Sequence, residues 1–552
     1  MHFSARLLFT SLLVVLANIT PVNIVCSSSI LEQGDEISYL LSESNKKLTI
    51  SSEIDLNGGT VRVGSGTILL FKKNGIVKNG ILDLNNAKIK TKKKDIFDRC
   101  IVKSRYLKAS WFNNTDYSQL LSYQTTAFTF EVDKDIEINT GCEIVAPVHL
   151  VSKNGSTIKE SKPLYIKQSA KGTTIKGVTF DGLWKNDICL WITASDIDIS
   201  KCTFLHHKGE NVYVVYLGRM QNAFNENIKI HGCTFDGMES ITDGVGKGKG
   251  FNAAISSASS YHNIEIYDCT FKNQIGEDDG EGINIAGDIL DNTTPWPNKD
   301  DENMLRYGVL KAKIHHNKFY DMTVSAIKVF GKDIEIFNNY IYNSTWNTER
   351  GGKSLVRVLE AENVSIIGNK FISTIDASCL LVMNSADVLF KKNTFSCRTD
   401  GKRGLSTGSA YFKFQNVKDV IVDRTKADIK QGNVTVNTSV FNIMGGDNVT
   451  VKNCNVRIDN TDCLYQVLTG KTYGDMCLEN CTFKVTSSCA KWIFVNTLQL
   501  NDAKIHISDV EVNHPSIVPL GLSAQTLGTL PYEVRNLRVN GRKISNVKEI
   551  IE

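Results

Sequence analysis

The chain has 552 residues, of which 41% are hydrophobic, and its formal net charge is +4. This charge is too small to indicate a nucleic-acid partner, although it does not oppose an anionic polymer. The hydrophobic content is sufficient for a large core, and 8 prolines beside 40 glycines argue against disordered linkers.

Residues 1–26 have the pattern of an export signal. Arg6 is the only charged residue before the mostly apolar stretch Leu7–Ile19. Either a secretory signal is cleaved close to Cys26, or Cys26 becomes a lipidated first residue and a lipid anchor. No later stretch is long and apolar enough for a transmembrane span. We therefore expect a protein that is secreted, periplasmic or attached to the cell surface.

A short phrase then recurs along the chain, with the pattern apolar-x-apolar-x-x-(Cys or Asn)-x-apolar. It is clear in Ile197–Phe204, Ile228–Phe235 and Val364–Phe371. We call the second apolar residue of each copy its marker. The markers are Ile175, Ile199, Ile230, Ile266, Ile314, Ile336, Ile366, Phe390, Val422, Val451, Leu478 and Ile507. They follow one another at steps of 22 to 48 residues. A minimum spacing between repeats, to which some repeats add extra residues, is typical of a solenoid with loop insertions.

The segments between the markers are short alternating runs without a helical period, which indicates strands. The repeat therefore predicts an all-β parallel β-helix of roughly a dozen or more coils with capped ends. We expect residues 27–125 to form the N-terminal cap and first coils. Residues 126–524 would form the main β-helix, and residues 525–552 a C-terminal cap.

One position of the phrase alternates between cysteine and asparagine. Its members are Cys202, Cys233, Cys269, Asn317, Asn339, Asn369, Asn393, Cys454 and Cys481. Equivalent residues stack in a solenoid, so the asparagines predict an internal amide ladder between coils. The cysteines fit the same position as small buried residues rather than as disulfides or metal ligands.

This repeat resembles that of the pectate-lyase-like, right-handed parallel β-helix family, whose members often stack asparagines at one turn. Gly66–Thr91 also resembles the N-terminal region of secreted and phage-borne members. The resemblance covers roughly residues 55–515 and implies a right-handed β-helix. It implies function only weakly, because the fold carries lyases, hydrolases, epimerases, esterases and inert adhesins.

Two neighbouring coils carry the longest insertions, Gly237–His262 and Gln274–Lys313. Long loops on a rigid scaffold are where binding residues tend to collect. The second insertion is acidic in its first part and also contains Trp296.

The strand after each loop predicts a column of residues that face outward. Its predicted members are Trp191, Tyr216, Ala254, Asn284, Lys328, Arg357, Leu381, Lys413, Asn442 and Gln466. We expect the aromatic residues to stack on sugar rings and the cations to face a uronate. The predicted substrate-binding residues are Trp191, Tyr216, Asn284, Trp296 and Lys413.

Calcium-dependent lyases of the β-helix family use Lys or Arg beside acidic calcium ligands. By this resemblance, Lys328 would be the base of a β-elimination and Arg357 would stabilise the developing charge. Asp278, Asp279 and Glu281 would hold Ca²⁺, since clustered carboxylates suit a hard cation. The expected function is lyase cleavage of an acidic polysaccharide.

Two alternatives stay open. The carboxylates of residues 277–302 could serve a glycoside hydrolase, although of the pectinase signatures only Asp278-Asp279 is present. The protein could instead be a non-catalytic glycan-binding or adhesin-like surface protein. For each, we expect a monomer, with a trimer as the alternative. His206-His207 and His315-His316 fall in turns, where the pattern favours ordinary turn polarity.

Overall fold

The computed structural model describes residues 22–24, 41–42, 44–218, 225–240, 251–257, 261–276, 279–285, 309–344, 354–375, 377–398, 410–430, 439–459, 463–467, 474–486, 492–496, 503–515, 521–522 and 532–545. The predicted export segment lies outside these ranges except for Val22–Ile24. Within these ranges, no helix has the length and apolar character needed to cross a membrane. The chain divides into two compact units, Met1–Phe180 and Asp181–Glu552.

The first unit consists mainly of short parallel strands. Two sets lie near its start: Val22–Ile24, Lys47–Ile50, Ile68–Phe71 and Lys88–Lys90, and then Glu53–Asp55, Thr60–Arg62, Ile76–Asp83, Phe97–Lys103 and Phe112–Asn113. The later strands are Tyr106–Lys108, Phe128–Glu131, Ile136–Ile138, Cys142–Ile144, Val148–Val151, Thr157–Glu160, Leu164–Ile166, Thr174–Lys176 and Thr179–Asp181. One α-helix, Tyr117–Ser122, begins at Asp116, whose carboxylate accepts from the backbone N–H of Ser118.

Each coil of the second unit contributes up to three strands. The site strands, which carry the predicted outward column, are Leu190–Ile192, Val212–Leu217, Phe251–Ser257, Asp279–Ile285, Cys463–Val467, Trp492–Asn496 and Gly521–Leu522. The marker strands are Ile197–Ser200, Asn225–His231, Tyr261–Tyr267, Val309–His315, Met476–Glu479, Ile505–Ser508 and Tyr532–Arg535. In the middle coils the site strand and the marker strand form one continuous strand. These strands are Ser325–Phe337, Ser354–Ile367, Ser378–Lys391, Ala410–Asp423 and Ser439–Lys452.

The third strands lie in a separate sheet. They are Thr203–Gly209, Thr234–Ser240, Thr270–Ile275, Lys318–Met322, Tyr340–Asn343, Lys370–Ser373, Thr394–Arg398, Lys426–Lys430, Asn455–Asp459, Thr482–Val485, Glu511–Asn513 and Leu537–Val539. The last of these pairs antiparallel with Arg542–Ile544, whereas the coil-to-coil pairs are parallel. An antiparallel strand at the end covers a sheet edge that would otherwise accept another strand.

The predicted marker series is confirmed by the strand register. Ile199 pairs with Ile230, and Ile230 with Ile266, as the repeat requires. The pairing continues through Ile314, Ile336, Ile366, Phe390, Val422, Val451, Leu478 and Ile507, and reaches Val534. Within the first unit Ile175 pairs with Leu150. The fold is therefore a parallel β-helix of about a dozen or more coils, as the repeat predicts.

Left-handed residues turn the chain at two corners of most described coils of the second unit. The corner directly before the first apolar residue of the repeated phrase holds Asp196, Asn227, Asn263, Lys311, Asp333, Asn363, Asp387, Asp419 and Asn448, all with φ between 51 and 62°. Asparagine and aspartate adopt this conformation at lower cost than other residues that carry a Cβ. Their side chains also bridge coils, since Asn363 Nδ2 donates to Asp333 Oδ1 at 2.6 Å.

The interior is filled by residues that stack between coils. Phe204, Phe235, Phe271 and Phe319 form a continuous ring stack with centroid distances of 4.7 to 4.9 Å. At the neighbouring turn Asn317, Asn339, Asn369 and Asn393 form the predicted amide ladder, each Nδ2 donating to the next Oδ1 at 3.0 to 3.1 Å. Because their side-chain oxygens also accept backbone N–H groups, the ladder satisfies buried polar atoms of each coil.

Candidate functional site

The outward column is a continuous line of paired residues on the site strands. Its members in register order are Trp191, Tyr216, Ser256, Asn284, Lys328, Arg357, Leu381, Lys413, Asn442 and Gln466. Ala254 was predicted at the third position, and this was wrong, because Ser256 pairs with both Tyr216 and Asn284. Ser256 is followed by Ser257, which faces the core and is polar although it is buried. The triplet centred on Ser256 therefore lacks the apolar-x-apolar pattern.

Aromatic side chains occupy the first coils of the column. The rings of Trp191 and Tyr216 meet edge to face, with centroids 5.0 Å apart. Tyr213 stacks on Tyr216 at 5.5 Å. A Cβ built at Gly218 would lie only 2.1 Å from Trp191 Nε1, so glycine at this position makes room for the indole. The arrangement provides a rigid aromatic surface beside the charged part of the column.

An ion pair lies at the centre of the column. Lys328 Nζ lies 3.5 Å from Glu281 Oε1, and the exposed fractions of the two side chains are 14% and 1%. Glu281 is three residues before column position Asn284 and reaches the column residue of the next coil. Ser439 makes the same diagonal contact, since its hydroxyl donates to Gln466 Oε1. In these two coils the position three residues before the column therefore supplies a polar side chain to the column residue of the next coil.

Arg357 and Asn284 stand on either side of Lys328. Both pair with it directly across the sheet, one on each neighbouring coil, so their Cα atoms are about 4.8 Å from that of Lys328. Asn284 Oδ1 and Ser325 Oγ are buried and have no hydrogen-bond partner among the described residues. A buried polar atom of this kind is a natural contact for a bound ligand or an ordered water. The two cations and the amide thus form one polar cluster.

The remaining predicted site residues are placed only in part. Lys413 lies further along the column, between Leu381 and Asn442. Asp279 pairs through its backbone with Phe251, but its side chain lies outside what the structure describes, as do Asp278 and Trp296. Among the predicted acidic ligands, Glu281 is therefore the one whose described side chain lies beside the column.

A calcium ion is a poor fit to the described part of this site. Glu281 is the one predicted ligand whose side chain is described, and it is buried against the ammonium group of Lys328. A second cation at that carboxylate would be repelled by Lys328, which already compensates its charge. Calcium at residues 278–281 stays a prediction.

The sequence patterns did not predict an exposed tryptophan at the start of the second unit. Trp184 is 45% exposed and follows Leu183, and both residues are left-handed, with φ of 56 and 53°. Its ring packs against His206 with centroids 5.0 Å apart. Bulky residues in this conformation cost free energy and often occur at functional sites. The only sequence signal is a tryptophan in the turn after Asp181-Gly182.

No protein-family model and no curated protein sequence matches the chain. Among solved structures it is similar to the surface protein and adhesin PfbA of Streptococcus pneumoniae, at 10% identity and a TM-score of 0.32, covering 94% of this chain and 100% of that one. A GH136 lacto-N-biosidase from Eubacterium ramulus is similar at 11% identity and a TM-score of 0.23, with 88% and 66% covered.

Tailspike protein 2 of the Escherichia coli O157:H7 bacteriophage CAB120 is also similar, at 11% identity and a TM-score of 0.17. The match covers 79% of this chain and 46% of the tailspike. Similarity at this level carries no functional information. The assignment of the fold rests on the strand register of the chain itself.

Proposed function

We propose that the protein binds an acidic polysaccharide along the outward column, with uronate carboxylates at Lys328 and Arg357. The observation that carries this proposal is the placement of these two cations in register on adjacent coils. Guanidinium groups bind carboxylates through paired hydrogen bonds, and lysine adds a point charge beside them. An exported protein at or beyond the cell surface would meet such polymers.

The ion pair with Glu281 makes Lys328 a fixed cationic contact for an anion. The Lys328 ammonium group compensates the charge of the buried Glu281 carboxylate. The ammonium group is therefore held in place, and Glu281 orients it. Because 14% of the Lys328 side chain stays exposed, a ligand can still reach it.

The aromatic end of the column would bind the less charged faces of the same polymer. Trp191 and Tyr216 lie two and one coils before Ser256, which pairs with Asn284 beside the cations. Aromatic rings stack on the apolar faces of sugar rings, and amides hydrogen-bond their hydroxyl groups. A polysaccharide that follows the column would thus contact the aromatic side chains in the first coils and the two cations in the later coils.

The binding test compares the wild type with Arg357→Leu on immobilised uronate-containing and neutral polysaccharides. Leucine is tolerated in this column, because Leu381 occupies the next coil. We expect at least about a tenfold loss of affinity for the acidic polymers, equivalent to about 1.4 kcal/mol, and weaker wild-type binding at high salt. Lys332→Ala is the matched control, since Lys332 pairs with Glu362 outside the column. Equal binding by wild type and Arg357→Leu would contradict the proposal.

Cleavage of the same polymer by β-elimination is the second candidate. It is favoured by the pairing of Lys328 and Arg357 across adjacent strands, since elimination needs a base and a cation near one carboxylate. Absorbance of the unsaturated product and release of reducing ends distinguish the outcomes, measured with and without calcium. Both signals indicate a lyase, reducing ends alone a hydrolase, and binding without either signal a non-catalytic glycan-binding protein.

A further inference from the structure

Four aromatic rings stack on the surface of the marker strands. His231, Tyr267, His315 and Phe337 directly follow the marker in consecutive coils, and their rings are parallel within 10°. The centroids are 4.5 to 5.1 Å apart. His315 lies in the interior of this stack, between Tyr267 and Phe337, so its ring orientation is fixed by contacts on both faces.

The next residue, His316, is turned so that its ring meets that of His315. It occupies the corner after the marker strand with a left-handed φ of 57°, which breaks the usual alternation of side chains along a strand. The two rings are nearly perpendicular, at 86°. His315 Nδ1 and His316 Nδ1 lie 2.8 Å apart. Two nitrogen lone pairs this close require a proton or another cation between them.

The outer nitrogen of each ring has a partner that determines where the protons lie. Glu265 Oε1 lies 3.4 Å from His315 Nε2, and a carboxylate only accepts, so neutral His315 carries its proton on Nε2 and presents a bare Nδ1. Asn338 Nδ2 lies 3.4 Å from His316 Nε2 and donates to it. One proton, on His316 Nδ1, therefore bridges the two rings.

We propose that His315 and His316 form a bidentate site for a divalent transition-metal ion, which takes the place of this bridging proton. At metal–nitrogen distances of about 2.0–2.1 Å, nitrogens 2.8 Å apart subtend roughly 85–90° at the ion. This angle matches neighbouring positions of a square-planar or octahedral ion such as Cu²⁺ or Ni²⁺ better than tetrahedral Zn²⁺.

The surrounding groups support the ion-bound form without a large rearrangement. The proton of His316 moves from Nδ1 to Nε2 of the same ring, and a flip of the Asn338 amide presents its oxygen to accept it. Glu265 already accepts from His315 Nε2, as carboxylates commonly do behind a metal-binding histidine. Water would fill the remaining positions of the ion, because among the described residues no third His, Cys, Asp or Glu side chain groups with these two nitrogens.

The test uses the full chain without a histidine tag and titrates Ni²⁺ by calorimetry. His315→Phe keeps the ring stack and removes both nitrogens, whereas His316→Asn places the residue found at the same corner in the next coil, Asn338. We expect each variant to bind Ni²⁺ at least about tenfold more weakly than the wild type. His231→Phe is the matched control, because it changes a histidine of the same stack that contacts Asp198 instead.

Cu²⁺ supplies a second, spectroscopic measurement. Electron paramagnetic resonance of the wild type and of His231→Phe is expected to show coupling to two imidazole nitrogens, and this pattern is lost in His315→Phe and His316→Asn. The proposal is overturned if the wild type shows no saturable Ni²⁺ binding, or if both site variants bind like the wild type. Should His315→Phe fail to fold, His316→Asn still decides, since His316 is exposed.

Discussion

The asparagine coils and the cysteine coils of the second unit use the same internal position in different ways. Asn369 Nδ2 donates to Ile336 O at 2.9 Å and to Asn393 Oδ1 at 3.0 Å, and its oxygen accepts from Asn339. Cys233 has only weaker contacts, with its Sγ 3.3 Å from His231 O and 3.4 Å from the backbone N of Cys202. Both kinds of residue are buried.

The difference shows what the position requires. A small side chain that accepts one backbone N–H is sufficient to build the turn, and cysteine meets this requirement. Asparagine adds directional bonds between coils, so its contribution depends on its neighbours in the ladder. We therefore expect the asparagine coils to be sensitive to single substitutions and the cysteine coils to tolerate them.

The largest expected effect is that of Asn369→Ala, in the middle of the ladder. The change removes the acceptor of Asn339 and the donor to Ile336 and Asn393. Buried groups left without partners cost about 1–3 kcal/mol each, so we expect a loss of about 3–5 kcal/mol. Urea unfolding of the full chain measures it. Asn369→Cys is the matched variant and should lose clearly less, and equal losses would remove the distinction between the two kinds of coil.

The cysteine coils should respond more weakly. Cys233→Ala removes a buried thiol whose contacts are long, and we expect a loss of about 1 kcal/mol in the same measurement. A loss as large as that of Asn369→Ala would show that the position itself, and not the amide bonding, determines stability.

A substitution at Thr425 is expected to raise the free energy of unfolding instead of lowering it. Thr425 occupies the coil after Asn393, because its backbone C=O accepts from Asn455 N–H as that of Asn393 accepts from Lys426 N–H. Its Oγ1 is buried with no hydrogen-bond partner among the described residues. Thr425→Asn would extend the ladder by one amide, and we expect stabilisation of about 1 kcal/mol. Thr425→Val is the control that removes the unsatisfied hydroxyl without adding an amide. A destabilised Thr425→Asn would mean that the position is too narrow.

The smallest expected effect concerns reactivity, not stability. Contact with the Cys481 thiol, together with burial, raises the pKa of Cys454, so Cys454 stays a thiol at neutral pH and is unreactive in the folded state. Burial also raises the pKa of Cys477, but this residue is only half-buried. Pulse alkylation followed by peptide mass spectrometry should modify Cys477 at least about tenfold faster than Cys454. Equal rates in the native protein would show that the cysteine coils open locally.

The sequence allowed much of this arrangement to be predicted. The markers and the ladder could be predicted because inward residues repeat once per coil and must pair in register. The column was predicted except at Ser256, where a buried polar residue hid the pattern. The contact of Glu281 with Lys328 could not be predicted, because it runs diagonally between coils that a long insertion separates in the sequence.

The sequence by itself determined the coil period, the inward positions and the order of residues along the outward column, because strand pairing in a solenoid follows from the spacing of apolar residues. Only the tertiary structure decided which polar groups meet. The pairing of Glu281 with Lys328 and the approach of the two Nδ1 atoms of His315 and His316 depend on corner conformations and side-chain directions. These are determined by packing between coils that lie 22 or more residues apart in the chain.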